Sequence, residues 1–369
     1  MSSSLARAER PETSDTPEAD KAVNVTIETP TGRFEFKCDE GETLLRAGLR
    51  QGVTLPYECA TGTCGTCRGR TMTGNVGVGW ADAPALAKLK QDKGDILLCQ
   101  ARATSDCLVR VPSKSVAQTP TNDAPMSNRG IITSSRRLTR DVIEFTISLA
   151  REMSFEAGQF MLVSVGGVIG ARAYSMVNYA PDTDEIVFVV KRKDGGGFCD
   201  WLFESEVDGA KVELFGPLGR ATLGLSDRRN LIIAGGGSGI AGMMAILERA
   251  TQTEHFASYR GRVFFGVQKM EDGFYLEELA DYVQRAGPNL EVTLALSNDE
   301  PPAAVHPEFP SIRLAKGYVH EAMSAAMSGL YDNDLAFIGG PPPMVDAVLR
   351  TLIVEGQLTP ASIRYDKFS

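Results

Sequence analysis

The chain has 369 residues, 43% of them hydrophobic and 23% charged, and a formal net charge of −9. At roughly 100 to 200 residues per domain, this length predicts two or three domains, and the composition is that of a globular protein rather than a disordered, fibrous or membrane-embedded one. Because no apolar run approaches the roughly 18 residues of a membrane-spanning helix, we expect no association with a membrane.

Residues 1–21 are polar and lack the uninterrupted apolar stretch of a secretory signal, so we expect a disordered leader and a cytoplasmic protein. Residues 22–112 carry 11 Lys and Arg against 10 Asp and Glu, whereas residues 113–369 carry 24 against 32. Since no segment is strongly basic, nucleic acid is not an expected partner.

Seven cysteines, an odd number without an export signal, favour metal ligands over a disulfide framework. Cys59, Cys64, Cys67 and Cys99 follow the pattern C-x4-C-x2-C with a distant fourth cysteine, which is the plant-type [2Fe–2S] spacing. The small residues between them allow a tight loop whose backbone N–H groups approach the cluster sulfurs. The alternative is a structural zinc site, but such sites usually pair one C-x2-C with a second pair of ligands.

The segments around these cysteines predict a compact mixed α/β unit over residues 22–113. VNVTIET and GRFEFKC indicate a hairpin, ETLLRAGLRQG a short helix and DCLVRVP a closing strand. Cys38 and Cys107 continue the alternation of two of these strands, so we expect them to be small core residues.

Residues 114–128 are rich in Pro, Thr, Ser and Asn and predict a linker. Short β-like runs separated by turn residues follow, and they predict an antiparallel barrel over residues 129–226. From residue 227 to residue 369, strands alternate with helices, as in NLIIAGG and IAGMMAILERA. This alternation predicts a doubly wound parallel sheet with helices on both faces.

Two glycine-rich loops follow strands of this last unit and precede helices. The first contains Gly235, Gly236, Gly237, Ser238 and Gly239, and the second begins with 339–341, which includes Gly340 and Pro341. Such loops let backbone amides and a helix N-terminus approach phosphate, although each alone is also consistent with a simple tight turn. Two of them at the carboxyl edge of one parallel sheet predict a ligand crevice between them.

The motifs ECATGTCGTC, LLCQA, RAYS, GPLG, GGGSGI and GGPPPM occur in this order along the chain. With them the chain resembles the ferredoxin-NAD(P) reductase superfamily, specifically the fused reductase components of bacterial multicomponent oxygenases such as toluene and methane monooxygenases. The resemblance covers residues 22–369. It implies a β-grasp [2Fe–2S] ferredoxin domain, a six-stranded antiparallel FAD-binding β-barrel and a doubly wound parallel-sheet NAD-binding domain.

The resemblance also implies roles for the residues of RAYS. Arg172 would contact the flavin pyrophosphate, Tyr174 would pack against the isoalloxazine, and Ser175 would hydrogen-bond near N5. Each role has a physical reason, since Arg offers a planar fork to phosphate, Tyr an aromatic face and Ser a small hydroxyl beside the atom that accepts hydride.

Further roles come from the same resemblance. The segment KDGGGFCDWL resembles the second phosphate loop of the family, with Gly196 and Gly197 approaching the diphosphate and Cys199 where Ser or Thr is commoner. Phe368, near the C-terminus, would cover the flavin face that nicotinamide must occupy, and it would move aside when nicotinamide stacks. Its alternative is an ordinary apolar anchor for the last strand.

The chain departs from the family at two positions. Gly339 stands where relatives carry a cysteine near the nicotinamide, so any role of that thiol is absent. Gln268 stands where many relatives carry Arg, which favours NADH over NADPH because the 2′-phosphate loses a cation. Lys269, Arg260 and Arg262 could substitute for it.

These observations predict an NADH-dependent oxidoreductase that takes hydride onto FAD and passes single electrons through the [2Fe–2S] centre to a separate terminal oxygenase or a small acceptor protein. Tyr174, Ser175 and Phe368 would act at the flavin. We expect a monomer, and an oxygenase of the di-iron or Rieske type acting on aromatic or hydrocarbon compounds. The alternatives are a reductase of the same architecture serving a cytochrome P450 or a deoxysugar dehydratase, and a zinc-containing nucleotide-binding module.

Overall fold

The computed structural model describes residues 22–115, 117, 124–193 and 195–367. Strand pairing divides them into three main sheets and one two-stranded sheet. Outside the described residues lie the predicted leader, residues 116 and 118–123 of the predicted linker, and Phe368.

In the short strands of the first sheet, apolar side chains alternate with polar ones. The apolar side chains therefore lie together on one buried face of the sheet. Its chain order is β1 (Val23–Thr29), β2 (Gly32–Cys38), α1 (Leu44–Arg50), β3 (Arg68–Thr73), β4 (Val76–Val78), β5 (Asp95–Leu97), β6 (Ala101–Ala103) and β7 (Cys107–Arg110). The spatial order is β2-β1-β7-β3-β5, with β1 and β7 parallel, while β4 pairs with β6. Helix α1 packs across this sheet, and Thr43 caps it by accepting a hydrogen bond from the Arg46 N–H at 3.4 Å. This arrangement confirms the predicted β-grasp unit.

The second sheet is wholly antiparallel and curls upon itself. Its elements are β8 (Met126–Thr139), β9 (Val142–Met153), β10 (Phe160–Val165), β11 (Arg172–Ser175), β12 (Thr183–Lys191), α2 (Gly197–Glu204) and β13 (Lys211–Leu218). The order is β11-β10-β13-β8-β9-β12, and a bridge between Met176 and Phe188 joins the two edge strands. The barrel therefore closes around a core rich in aromatic side chains, as predicted.

The third sheet is parallel throughout. Its elements are β14 (Asn230–Gly236), α3 (Ala241–Gln252), β15 (Gly261–Val267), α4 (Leu276–Ala286), β16 (Leu290–Leu296), β17 (Ile312–Lys316), α5 (Val319–Met327), β18 (Asp334–Gly340), α6 (Pro342–Val354) and β19 (Ile363–Lys367). The order β17-β16-β15-β14-β18-β19 reverses direction between β14 and β18. Separate apolar cores cover its two faces, which confirms the doubly wound fold. No helix within the described part of the chain is long and apolar enough to cross a membrane.

The ferredoxin unit docks on the barrel through an apolar contact. Phe160, Leu162, Phe215 and Leu218 of the barrel belong to the same buried cluster as the interior of the ferredoxin sheet. The guanidinium of Arg46 on α1 lies 5.2 Å from the centre of the Phe215 ring. The two units are therefore packed together and not merely joined by the chain between them.

The stretch predicted as a linker begins and ends with ordered contacts. Ser115 exchanges hydrogen bonds with Thr31, and Ala117 bridges to Val53. At the other end β8 starts at Met126. The domain boundaries themselves stay a prediction.

The nucleotide-binding sheet brings its two glycine loops into direct backbone contact. A Cβ at Gly239 would overlap the carbonyl oxygen of Gly339, and a Cβ at Gly339 would overlap that of Gly239. Because both obstacles are backbone atoms of buried segments, we expect Gly239→Ala to lower the free energy of unfolding by about 1–3 kcal/mol. Thermal denaturation measures this loss.

Gly166→Ala is the matched control, because nothing lies within 4 Å of the Cβ it would add. A melting temperature for Gly239→Ala equal to that of the control would contradict the proposed backbone contact.

Candidate functional site

The four predicted cluster ligands form two close pairs of sulfurs. Cys59 Sγ and Cys64 Sγ are 3.2 Å apart, and Cys67 Sγ and Cys99 Sγ are 3.3 Å apart. Within the described residues, no set of three His, Cys, Asp or Glu side chains converges on one metal position. Two pairs of thiolates suit two irons with two protein ligands each, whereas a single zinc ion needs four ligands around one point. The cysteines therefore fit a [2Fe–2S] cluster better than the zinc alternative.

Backbone N–H groups of the tight loop point at these sulfurs. Thr61 N and Cys64 N each lie 3.4 Å from Cys59 Sγ, and Thr66 N lies 3.5 Å from Cys64 Sγ. Hydrogen bonds from the Cys64 thiol, from the Thr63 side chain and from the Thr61 backbone and side chain lower the pKa of Cys59. Such N–H donors stabilise the charge that cluster sulfurs carry.

A cavity of about 390 Å³ lies where the three units meet. The ferredoxin unit contributes the loop that contains Cys59, and the barrel contributes β11 and the start of α2. The parallel sheet contributes Ser238, Ala241 and the end of β19. Predicted iron, flavin and nicotinamide sites thus border one space.

Tyr174 lies on the wall of this cavity in a group of aromatic rings. Its ring centre is 5.3 Å from that of Phe198, and it also contacts Phe145 and Phe188. Burial raises the pKa of the Tyr174 hydroxyl well above its ordinary value, so the side chain is neutral. The packing holds one aromatic ring rigidly at the cavity, which suits a planar ligand such as a flavin.

Arg172 and the first turn of α2 supply groups for an anion nearby. The Arg172 Nη1 donates to the carbonyl oxygens of Ile169 and Ala171, at 3.4 Å and 3.2 Å, so the guanidinium is fixed at the cavity. Gly196 is the N-cap of α2 and has no capping side chain. The first N–H groups of this helix and the Arg172 guanidinium fit a diphosphate.

The two glycine loops leave the carboxyl ends of neighbouring parallel strands, at the point where the strand order reverses. Gly235 of β14 pairs with Gly339 of β18, and Ser238 lines the cavity at the start of the following helical turn. Gly237 has φ of +53°, a conformation that favours glycine. This is where doubly wound sheets bind nucleotides.

The structure brings most of the predicted site residues together. Those lining the cavity are Cys59, Arg172, Tyr174, Ser175, Gly196, Cys199 and Ser238. Gly197, Gly235, Gly236, Gly237, Gly239, Gly340 and Pro341 belong to the adjoining loops and helix starts. Cys64 is exposed beside Cys59, whereas Cys67 and Cys99 are buried within the ferredoxin unit. Because no observation tests these roles residue by residue, they stay a prediction.

Sequence reasoning missed the acidic pair at the cavity edge. Asp366 of β19 and Glu58, next to Cys59, both line the cavity. Burial, with a smaller contribution from the Glu58 carboxylate, raises the pKa of Asp366 to about 7. Nothing in the sequence indicates that these two positions, over 300 residues apart, would meet.

Two of the three cations suggested as substitutes near Gln268 were wrongly placed. Arg260 and Arg262 lie at the amino end of β15, which begins at Gly261, whereas the glycine loops lie at the carboxyl edge of the sheet. Arg262 also pairs with Glu291 at 3.5 Å. Only Lys269 follows the carboxyl end of β15, and it lies 3.7 Å from Glu271.

A wider cleft of about 900 Å³ lies between α1 and the barrel, away from every predicted ligand. Charged side chains line it, and Arg50 there pairs with Asp39 and Glu42. Since none of the predicted cofactor-binding residues lines this cleft, we place the chemistry in the smaller cavity.

Three family models match the chain in the order of its sheets. Residues 28–104 match the 2Fe-2S iron-sulfur cluster binding domain, residues 129–223 the oxidoreductase FAD-binding domain, and residues 232–350 the oxidoreductase NAD-binding domain. These matches confirm the predicted [2Fe–2S], FAD and NAD cofactors.

Curated relatives cover nearly the whole chain. The ferredoxin–NAD(+) reductase component of an alkene monooxygenase system from Xanthobacter autotrophicus is 32% identical over 335 residues, 90% of this chain and 97% of the relative. The reductase component of a phenol 2-monooxygenase from a Pseudomonas species is 32% identical over 354 residues, 94% of each chain.

Solved structures agree with these relatives. The ferredoxin reductase in carbazole 1,9a-dioxygenase has a TM-score of 0.79 at 27% identity, covering 96% of this chain and all of its own. A cytochrome P450 reductase from Amycolatopsis has a TM-score of 0.75 at 27% identity, covering 93% of this chain and 98% of its own. The chain therefore belongs to the family of fused ferredoxin–NAD(P) reductases that act as electron-transfer components of multicomponent oxygenases.

Proposed function

We propose that the protein takes hydride from NADH onto FAD and delivers single electrons through its [2Fe–2S] cluster to a separate terminal oxygenase component. The observation that carries this proposal is the shared cavity, which Cys59, Tyr174 and Ser238 line from three different units. FAD accepts two electrons as hydride and releases them singly, and the cluster carries one electron at a time. The chain itself contributes positioning and electrostatics.

At the flavin, the Tyr174 ring supplies an aromatic face and Ser175 a small hydroxyl beside the atom that accepts hydride. Ser175 lies close to α3, since a Cβ at Gly242 would approach the Ser175 Cβ to 3.3 Å. This contact joins the flavin wall to the helix that follows the first glycine loop. The loop that would hold the nicotinamide nucleotide and the wall that would hold the flavin are therefore neighbours.

The loop of the ferredoxin unit that contains Cys59 forms the cluster end of the proposed electron route. Cys59, Thr61 and Thr63 line the cavity, whereas Cys67 and Cys99 are buried behind them. We infer that the iron held by Cys59 and Cys64 is the one nearer to the flavin. Phe368 directly follows Lys367, a cavity residue, and its role as a cover for the flavin stays a prediction.

NADH is the proposed donor because the end of β15 is acidic. Gln268 is uncharged, Lys269 lies beside Glu271, and the Asp299 carboxylate accepts from the Met270 N–H at 3.0 Å. A 2′-phosphate here would meet carboxylates, with a single neutralised cation nearby.

A di-iron or Rieske oxygenase acting on aromatic or hydrocarbon compounds is the proposed acceptor. The alkene and phenol monooxygenase relatives support it. A cytochrome P450 is the second candidate, since the Amycolatopsis structure is a cytochrome P450 reductase of the same architecture.

Replacing Cys64 by Ser tests the route. Cys64 is exposed, so the change should remove a cluster ligand with little effect on packing. We expect loss of iron and of cluster absorbance, retained reduction of ferricyanide by NADH, and at least about tenfold slower reduction of cytochrome c.

Cys38→Ser is the control for the loss of a thiol that is no cluster ligand, because the Cys38 thiol donates to the backbone carbonyls of Asp39 and Glu42, which a hydroxyl can also do. Equal loss of both activities in Cys64→Ser, or unchanged cytochrome c reduction without the cluster, would refute the proposed order of carriers.

Tyr174→Ala tests the flavin wall. Removing the ring should weaken FAD binding by at least about fivefold, since stacking contributes on the order of 1 kcal/mol or more. Titration of the apoprotein with FAD, followed by flavin fluorescence, measures it. Tyr174→Phe keeps the aromatic ring, so this variant should bind FAD as tightly as the wild type. If Tyr174→Ala also binds FAD as tightly as the wild type, Tyr174 does not form the flavin wall.

Gln268→Arg tests the donor preference. A guanidinium at the carboxyl end of β15 should raise kcat/KM for NADPH by about tenfold or more, because a hydrogen bond to a charged group contributes about 1.5–3 kcal/mol. Arg260→Gln, at the opposite edge of the sheet, should leave both donors unchanged. A wild-type enzyme that already prefers NADPH would contradict the assignment.

A further inference from the structure

One surface of the ferredoxin domain is basic although the chain as a whole is acidic. Residues 68–95 carry five Lys and Arg against three Asp, whereas the whole chain has a net charge of −9. All five cations are exposed. They are Arg68, Arg70, Lys88, Lys90 and Lys93, which we call the basic face.

Little of this charge is neutralised within the molecule. Asp95 is 8% exposed, pairs with Arg70 at 2.7 Å and accepts from the backbone N–H of Lys90 at 3.2 Å. Within the part of the chain that the structure describes, the side chains of Arg68, Lys88, Lys90 and Lys93 form no ion pair. The basic face therefore presents unpaired positive charge to solvent.

Two cations of the basic face lie on elements that contact the cysteine-bearing segments. Arg68 directly follows Cys67, and the Leu98 N–H donates to the Cys67 carbonyl at 2.9 Å, which ties β3 to the segment carrying Cys99. The short helical turn Pro84–Lys88 rests on the cysteine loop, because the Ala85 N–H donates to the Gly62 carbonyl at 3.1 Å. Arg68 is therefore adjacent in sequence to a cluster ligand, and Lys88 ends the turn that contacts the cysteine loop.

The cations of the basic face lie outside the flavin cavity. Cys59, Thr61, Thr63, Trp80 and Pro84 of the ferredoxin unit line that cavity, whereas none of the five cations does. Tyr57, just before this loop, accepts a hydrogen bond from the Gly219 N–H of the barrel at 3.2 Å, so the cavity side of the domain is occupied by the barrel. The cations of the basic face therefore stay accessible to an acceptor protein while the domain is docked on the barrel.

We propose that the basic face is the docking surface for the electron-accepting protein, and that this acceptor presents an acidic surface. The proposal rests on the proposed function, since it names the surface at which the protein would pass electrons to its acceptor. Residues 113–369 carry 24 Lys and Arg against 32 Asp and Glu, so the remainder of the molecule repels an acidic protein. Repulsion elsewhere and attraction here steer such an acceptor to the cluster.

The test uses two soluble haem proteins of opposite charge as acceptors, acidic cytochrome b5 and basic cytochrome c. The holoenzyme variant Lys88→Glu/Lys90→Glu reverses two side chains that hold no cluster ligand or cavity wall. Its control, Arg33→Glu/Lys37→Glu, reverses two exposed charges on β2, at the opposite edge of the sheet. Second-order rates are measured from low to high salt with excess NADH.

We expect the wild type to reduce cytochrome b5 at a rate that falls steeply with salt. The Lys88→Glu/Lys90→Glu variant should reduce it at least about tenfold more slowly at low salt, reduce cytochrome c no more slowly than the wild type, and converge with the wild type at high salt. The β2 variant should behave as the wild type. Unchanged cytochrome b5 rates in the first variant, or an equal loss in both variants, would overturn the docking surface.

Anaerobic absorbance spectra separate this failure from failure of the proposed function. If NADH bleaches the flavin and cluster bands in every variant but the charge reversals have no effect on cytochrome b5, only the docking surface is wrong. If NADH fails to bleach the cluster in the wild type, the electron route is wrong and the docking proposal falls with it.

Discussion

The apolar contact between the ferredoxin sheet and the FAD barrel fixes the geometry on which electron transfer depends. Phe160, Leu162, Phe215 and Leu218 are buried in the same cluster as the ferredoxin core. Side chains of this size each contribute about 1.5–3 kcal/mol when removed from water. With the Tyr57 hydrogen bond to Gly219, this contact holds the cysteine loop against the cavity. A loosely tethered domain would have to find that orientation anew for each electron.

The parallel sheet fixes the position of the two glycine loops at the cavity. Its strand order reverses between β14 and β18, and the loops that leave these two strands contact each other through Gly239 and Gly339. Side chains would hold the loops apart, so glycine here serves both packing and the approach of a dinucleotide. Arg364 of β19 pairs with Asp227, which joins the C-terminal strand to the segment after the barrel. The cavity is thus bounded by elements that are each tied to a neighbouring unit.

Much of this could be predicted from the sequence, because the signals are local. The cysteine spacing indicates the cluster, alternation with period two predicts the barrel strands, and strand–glycine–helix order predicts the nucleotide loops. What could not be predicted depends on tertiary arrangement. Nothing near Glu58 or Asp366 indicates that they would border the same cavity. The edge of the sheet on which Arg260 falls is fixed by where β15 begins, a boundary that local pattern sets poorly.

We propose that the docked domains pass electrons within one molecule. Anaerobic stopped-flow mixing with saturating NADH, followed at flavin and cluster wavelengths over a tenfold range of protein concentration, distinguishes this from transfer between molecules. For transfer within one molecule, we expect cluster bleaching to follow flavin reduction with a rate constant independent of protein concentration. A cluster rate that rises in proportion to protein concentration would show transfer between molecules and contradict the docked arrangement.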